Sequence, residues 1–188
     1  LGLPAAMANG TNRVAIEIQN ILAVLGFRSK GVSDFKFSIQ LAIPALMGAF
    51  LGARIAIDID ELLFKRLLAA VMILVLGLIL WNPTRRLKGS DAPLTPVRRV
   101  VTLIAAFLVG IYGGFLQAGV GFLWIGVLVG ITGLDLVKVN AHKVFIIMVY
   151  TLLALVVFAL EGQVNWIIGF TLAVGNGSGG WIAGRLAA

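Results

Sequence analysis

The chain has 188 residues, of which 60% are hydrophobic and only 12% are charged, and its mean hydropathy is +1.05. This composition excludes a soluble globular domain, because it leaves too little polar surface to coat one. The net charge of +7 does not indicate a nucleic-acid partner, since in a membrane protein the positions of Lys and Arg say more than their sum.

The apolar residues come in blocks of about 20 without the alternation of barrel strands, which is the length of a membrane-spanning helix. The sequence therefore predicts an all-α, polytopic bundle of transmembrane helices. It has no Cys and one His, which leaves little for a metal site. No GxSxG, HExxH or P-loop motif is present. We therefore expect no enzyme activity, no metal and no cofactor.

Residues 1–81 form the first part of the chain, with predicted segments at residues 3–27, 35–57 and 62–81. Arg13 and Glu17 interrupt the first segment, which makes it too polar for a helix that faces lipid. In the second segment Gly48 and Gly52 lie one turn apart and allow a neighbouring backbone to approach closely. The third is an almost unbroken run of Leu, Val and Ile, which indicates contact with lipid.

Residues 82–99 are a basic linker, rich in proline, that divides the sequence into two parts. In the second part, residues 100–188, the first apolar segment covers residues 100–133 and is interrupted by glycines around Gly114 and Gly119. We interpret it as two short helices joined within the membrane. Two further segments follow, at residues 136–160 and 166–188, with a turn between them.

The two parts resemble each other. Asn12-Arg13-Val14 aligns with His142-Lys143-Val144 at an offset of 130, and seven further positions match after a slip of one residue. Duplicated halves with glycine-interrupted segments are typical of secondary transporters built from repeats. We expect the first repeat to lack its first segment and the second repeat to lack its last helix.

Loop charge predicts the orientation of the segments. The loop with Arg28 and Lys30 and the linker at residues 82–99 are basic, whereas the loop from Asp58 to Glu61 is acidic, so the first two are expected in the cytoplasm. If residues 100–133 cross twice, the turn at Glu161 lies outside and the repeats are inverted; a single crossing makes them parallel. That turn has no Lys or Arg, which favours inversion.

Arg13 and Lys143 occupy matching depths in the two repeats. Because an unpaired charge in a membrane costs several kcal/mol, two such cations indicate an anion site at the repeat interface. The alternative is that Arg13 pairs with Glu17 one turn on, while Lys143 extends to an interface near Lys138.

Other polar groups in apolar segments are candidates for the same site. Gln117 precedes the glycines at 119 and 121, where a helix break would expose backbone N–H groups to an anion; the alternative is tight helix packing. Asn12 and Asn140 can donate hydrogen bonds. His142 could carry a proton or be a buried hydrogen-bonding group, and Glu17 is a second candidate for proton coupling. The full set is Arg13, Lys143, Asn12, Asn140, Gln117, Gly119, Gly121 and His142, with Glu17 for coupling.

Five stretches resemble the sulfite exporter TauE/SafE family of membrane permeases. They are Asn9-Gly-Thr-Asn12-Arg13-Val14 through Gln19-Asn20, Leu46 to Ala53, Gly113 to Phe122, Asn140-Ala-His-Lys143-Val and Phe158 to Trp166. The match covers most of the chain. The resemblance implies a multi-pass protein of the cell inner membrane that transports small sulfur-containing anions such as sulfite or organosulfonates, driven by an ion gradient.

The sequence thus predicts an alternating-access permease whose partners are a small anion, the lipid bilayer and a coupling ion, either proton or sodium. Two other interpretations remain open, a passive anion channel and a membrane scaffold that transports nothing. Whether the protein forms a homo-oligomer is also open.

Overall fold

The computed structural model describes residues 2–31, 36–81 and 95–187, and the regular structure in these ranges is entirely helical. The helices are α1 (Ala5–Ser29), α2 (Lys36–Asp58), α3 (Glu61–Trp81), α4 (Pro96–Phe115), α5 (Val120–Val127), α6 (Leu136–Leu160) and α7 (Trp166–Leu186). A short π-helical stretch, Leu128–Thr132, extends α5. Within these described ranges three helices, α2, α4 and α6, are long and apolar enough to cross a membrane. The predicted all-α architecture is confirmed.

The structure differs from the sequence prediction in where the linker ends and in how long the helix before the break is. Helix α4 begins at Pro96, inside the predicted linker, because Thr95 caps it: the Thr95 hydroxyl accepts a hydrogen bond from the N–H of Arg98. Helix α4 then continues for 20 residues, so the segment before the break is not short. The rest of the linker, residues 82–94, lies outside the described part of the chain.

Helices α1 and α7 pack side by side and run in the same direction. A Cβ added at Gly180 would meet the backbone of Gln19, and one at Gly184 would meet the backbone of Ala23. Glycine at both positions lets the two backbones touch, which favours close packing of membrane helices where no hydrophobic force drives their association.

Helices α2 and α4 form a second pair of the same kind. A Cβ at Gly48 would overlap the carbonyl oxygen of Phe107, and one at Gly52 would overlap that of Ile111. Gly114 of α4 lies in turn against Ala49. The close approach predicted from the spacing of Gly48 and Gly52 is therefore present.

Helix α6 lies between the two pairs. Its His142 Nδ1 is 2.7 Å from the hydroxyl of Ser38, and Glu161, just after its end, forms an ion pair with Arg54 at 2.7 Å, so α6 is parallel to α2. Phe158, near the end of α6, lies against Gly10, near the start of α1, so α6 is antiparallel to α1. The segments aligned in sequence, α1 with α6 and α2 with α7, thus run in opposite directions. The duplication and its inversion both stay predictions.

Helix α3 packs only along one side of the bundle. Its side chains Met72, Ile73, Leu74 and Leu76 are all more than half exposed. Among the α3 side chains that the structure describes, Phe64 is the one that is buried, and its ring lies edge-on against Phe115 at the end of α4. This exposed apolar face agrees with the lipid contact expected for the third segment.

The two ends of the bundle carry opposite charge. At the end where α1 finishes and α6 begins, the described charged residues are Arg28, Lys30, Lys36, Arg98, Arg99, Lys138 and Arg185 with one acid, Asp135. At the other end they are Arg54, Lys65 and Arg66 with Asp58, Asp60, Glu61 and Glu161. We refer to these as the basic end and the acidic end.

Substituting Gly52 tests the packing of α2 on α4. Gly52→Ala is expected to lower the free energy of unfolding by about 1–3 kcal/mol, because its Cβ has no space beside the Ile111 backbone. Gly77→Ala in α3 is the matched control, since nothing lies within 4 Å of that position. Thermal unfolding in detergent measures both. Equal stability of the two variants would contradict the packing described.

Candidate functional site

The chain reverses direction between α4 and α5 at residues 116–119. Two of these residues have left-handed backbone conformations, Gly119 with φ of 68° and Gln117 with φ of 64°. For glycine this conformation is easy, but for a glutamine it costs on the order of 1 kcal/mol and persists only where surrounding contacts hold it. The contacts that hold Gln117 therefore identify the centre of the site.

Tyr112 supplies part of this support. Its carbonyl oxygen accepts hydrogen bonds from the N–H groups of Leu116, at 2.9 Å, and Gln117, at 3.4 Å. Its hydroxyl donates to the carbonyl oxygen of Ala118. The reversal is thus a hydrogen-bonded turn and not a loose loop.

Arg13 supplies the rest. The side chain is fully buried, and its Nη1 donates to Gln117 Oε1 at 2.7 Å and to the carbonyl oxygen of Gly113 at 3.1 Å. Its Nη2 donates to the carbonyl oxygen of Gly114, and the guanidinium lies 4.8 Å from the ring centre of Phe158. The cation therefore sits at the C-terminal end of α4, where carbonyl groups without helical partners concentrate negative potential.

Gln117 joins Arg13 to α6. While its Oε1 accepts from Arg13, its Nε2 donates to the hydroxyl of Thr151 at 2.9 Å. All three side chains are at least 95% buried. These hydrogen bonds fix the orientation of each member, because each would otherwise lose a buried partner.

Glu17 is not the partner of Arg13. No ion pair joins them in the described residues, and the buried Glu17 Oε2 has no hydrogen-bond partner. The local pairing that the sequence left open is therefore not formed. Glu17 lies in α1 one turn from Arg13, with a carboxylate that other contacts leave incompletely satisfied.

A cavity of about 420 Å³ opens beside the turn, towards the basic end. Five of the predicted site residues line it: Lys143, Asn140, Gln117, Gly119 and Gly121. Lys143 Nζ donates to Asn140 Oδ1 at 2.7 Å. Among the described residues the lining contains no Asp or Glu, so none of them neutralises the charge of Lys143 within the cavity.

Two residues of this lining also have backbone N–H groups without an acceptor. Within the described turn, the N–H groups of Gly119 and Gly121 donate to no backbone or side-chain acceptor. A Cβ at Gly121 would lie 3.8 Å from Lys143 Cδ, so this glycine directly faces the lysine. Together, the two N–H bonds that Lys143 does not use on Asn140 and these two amides are donors without a fixed acceptor, which is the arrangement an anion requires.

Asn12 lies elsewhere. It lines a second cavity of about 590 Å³, nearer the acidic end, with Asn9, Asn176 and Lys65. Arg13 lines neither cavity and reaches both only through Gln117. The eight predicted residues are therefore not one cluster: five surround the first cavity, Asn12 faces the second, and Arg13 lies behind their common wall.

His142 is the remaining predicted residue. It is buried, its Nδ1 is bonded to Ser38, and its ring stands edge-on to Phe37. These contacts connect α6 to α2 and do not face the first cavity. No group of three or more His, Cys, Asp or Glu side chains that could hold a metal ion occurs among the described residues.

Sequence reasoning missed Thr151 and Ile16. Thr151 lies eight residues after Lys143, on the same face of α6, so helical spacing from the lysine points to it. Ile16 lines both cavities, but an isoleucine in an apolar segment gives no sequence signal of that position.

A helical bundle with a cationic cavity beside a broken helix is the architecture of a membrane transporter. The chain belongs to the sulfite exporter TauE/SafE family, whose profile matches residues 1–188. It is 29% identical over 176 residues to a probable membrane transporter protein of Haemophilus influenzae, covering 93% of this chain and 68% of that one. It is 27% identical over 190 residues to the probable membrane transporter protein YfcA of Escherichia coli, covering 98% and 68%. No solved structure matches it.

Removing the Arg13 guanidinium tests the structural part of the site. Arg13→Met is expected to destabilise the protein by several kcal/mol, since each buried acceptor left without a donor costs about 1–3 kcal/mol. Arg54→Met is the control, because that arginine is half exposed and its ion pair is worth about 1 kcal/mol or less. Thermal unfolding compares the two. A loss no larger for Arg13 than for Arg54 would show that the network does not hold the turn.

Proposed function

We propose that the chain is a permease for small sulfur-containing anions such as sulfite or organosulfonates, working by alternating access across the cell inner membrane. The observation that carries the proposal is the first cavity, whose described lining combines Lys143 with two glycines that have unbonded backbone amides and includes no carboxylate. Membership of a transporter family supports a permease in general. The class of anion, the inner membrane and the alternating-access mechanism are what the proposal adds to that general function.

The hydrogen-bonding capacity of the cavity favours an oxyanion. Lys143 uses one N–H on Asn140 and keeps two, while the amide nitrogens of Asn140 and Gln117 each use one N–H and keep one. The N–H groups of Gly119 and Gly121 add two more. A sulfite or sulfonate group offers three oxygens that accept hydrogen bonds in several directions, and it matches this excess of donors.

Arg13 contributes without direct contact. Its charge lies one hydrogen bond behind Gln117, in an environment where a buried charge is weakly screened. In this proposal it holds Gln117 in place and adds positive potential to the wall of the cavity, while Lys143 meets the anion. The two cations thus have different roles in this proposal, whereas the sequence predicted a symmetric pair.

The size and lining of the cavity leave space for an organic group. Its volume of about 420 Å³ is within the range of small-molecule sites, and it exceeds what a bare inorganic anion fills. Phe27, Val144 and Ile147 provide apolar walls beside Lys143. A short organosulfonate, with its charged group on Lys143 and its carbon atoms on these walls, satisfies both features.

Charge at the two ends supports a multi-pass arrangement with the basic end in the cytoplasm. The first cavity would then face the cytoplasm and the second would face the opposite side. The basic end also includes the linker side of α4, where Arg98 and Arg99 are exposed.

Glu17 is the proposed coupling residue. A buried carboxylate with an oxygen that lacks a partner, close to the site, is suited to bind and release a proton during the cycle. Sodium is the alternative coupling ion. His142 is a weaker candidate, since Ser38 and Phe37 already hold its ring.

Two other functions would use the same residues. A passive channel would show flux that does not saturate and does not depend on an ion gradient, whereas a scaffold would show no substrate flux in liposomes. The enclosed network around Gln117 favours a transporter, because a wide permanent pore would expose that network to water.

Ligand-induced stabilisation tests the binding site. Sulfite, sulfate, thiosulfate and an organosulfonate are added to the purified full-length protein, and a ligand at about 100 times its Kd is expected to stabilise the protein by about 2.7 kcal/mol. Lys143→Met should remove this stabilisation. Lys138→Met is the matched control, because Lys138 is exposed and pairs with Asp135 at 3.3 Å. Full ligand response in the Lys143 variant would refute its role.

Flux in liposomes tests coupling. With a proton gradient across the membrane, the wild-type protein is expected to accumulate the anion, and Glu17→Gln is expected to abolish accumulation while anion exchange continues. Glu61→Gln, at the exposed start of α3, is the control. Accumulation that persists in Glu17→Gln, or that requires sodium alone, would exclude Glu17 as a proton carrier.

A further inference from the structure

The two cavities lie at opposite ends of α1 and meet at one place. The first is lined by Phe27 and the second by Ala5, which are 22 residues apart and therefore about 33 Å apart along the helix. Both cavities are also lined by the same three residues, Ile16, Gln117 and Gly119. The common wall is therefore a thin layer near the middle of the bundle.

Of these three residues, only Ile16 can act as a movable barrier. Gln117 is fixed by Arg13 and Thr151, and Gly119 has no side chain. Ile16 is half-buried and lies 11 residues from both Ala5 and Phe27, so its apolar side chain stands midway along α1.

The surroundings of Ile16 are polar on both sides. Asn12 lies one turn towards the acidic end and lines the second cavity, while Asn20 lies one turn towards the basic end and lines the first. An isoleucine between two amide-lined spaces excludes water locally, and apolar constrictions of this kind obstruct ions because the ion would have to shed its hydration.

We propose that the two cavities are the two halves of one anion path and that Ile16 closes it beside Gln117. This inference rests on the proposed transport function, but it assigns a route and a barrier that do not depend on which anion is carried. An anion bound at Lys143 would pass the Ile16 side chain to reach Asn12.

Thiol labelling tests the route without any substrate. The chain has no Cys, so an introduced thiol is the only one in this sequence. Asn12→Cys and Ala183→Cys place a thiol in the second and the first cavity. A membrane-impermeant trimethylammonium methanethiosulfonate is applied from either side of the membrane to the full-length protein.

We expect Asn12→Cys to react only from the side of the acidic end and Ala183→Cys only from the side of the basic end. Reaction of both thiols from the same side, or of neither from any side, would overturn the route. Because labelling needs no transported anion, this result is independent of the ligand tests. Labelling as expected without any ligand response would contradict the proposed substrate but still support the proposed path.

Shortening Ile16 tests the barrier. Ile16→Ala is expected to raise the leak of small anions such as nitrate, without a coupling gradient, by about tenfold or more, and Ile16→Val by less. Ile18→Ala is the matched control, since Ile18 faces Gly177 of α7 and lines neither cavity. Size-exclusion profiles establish that each variant is folded. A leak in Ile16→Ala and Ile16→Val no greater than in Ile18→Ala would overturn the assignment.

Discussion

The hydrogen bonds from Arg13 to the end of α4 are the interaction on which the site depends. They satisfy the carbonyl groups of Gly113 and Gly114 and hold Gln117 in its left-handed conformation. Without that turn, Gly119 and Gly121 would not line the same cavity as Lys143. Arg13 therefore holds the turn from behind the first cavity, whereas Lys143 lines that cavity.

Around this point close contacts between helix backbones bring the bundle together. Glycines pair α1 with α7 and α2 with α4, and α6 connects the pairs through the His142–Ser38 and Arg54–Glu161 contacts. Helix packing through small residues suits the bilayer, where burial of apolar side chains gains little. Each cavity is lined by more than one of these elements, so a change in how the pairs meet would change both cavities together.

Much of this fold could be predicted from the sequence, because long apolar blocks and the Gly48–Gly52 spacing report local structure directly. The grouping of Lys143, Asn140 and Gln117 also followed from polar residues placed in apolar segments. The partners of Arg13 could not be predicted, since Glu17 one turn away offered a simpler local pair and the true acceptors lie about 100 residues further on. The position of Ile16 between the two cavities could not be predicted either, because the sequence does not show the spaces on either side of it.

That separation along the chain has a consequence for biogenesis. Arg13 must enter the bilayer before the carbonyl groups at residues 113 and 114 exist, and at about 5–20 residues per second the ribosome needs about 5–20 s to supply them. During this interval a central arginine costs about 2.5–3.5 kcal/mol on insertion scales. Glu17, one turn along α1, is the nearest group able to neutralise it, and would release it once α4 arrives. The carboxylate would then neutralise the cation only during synthesis.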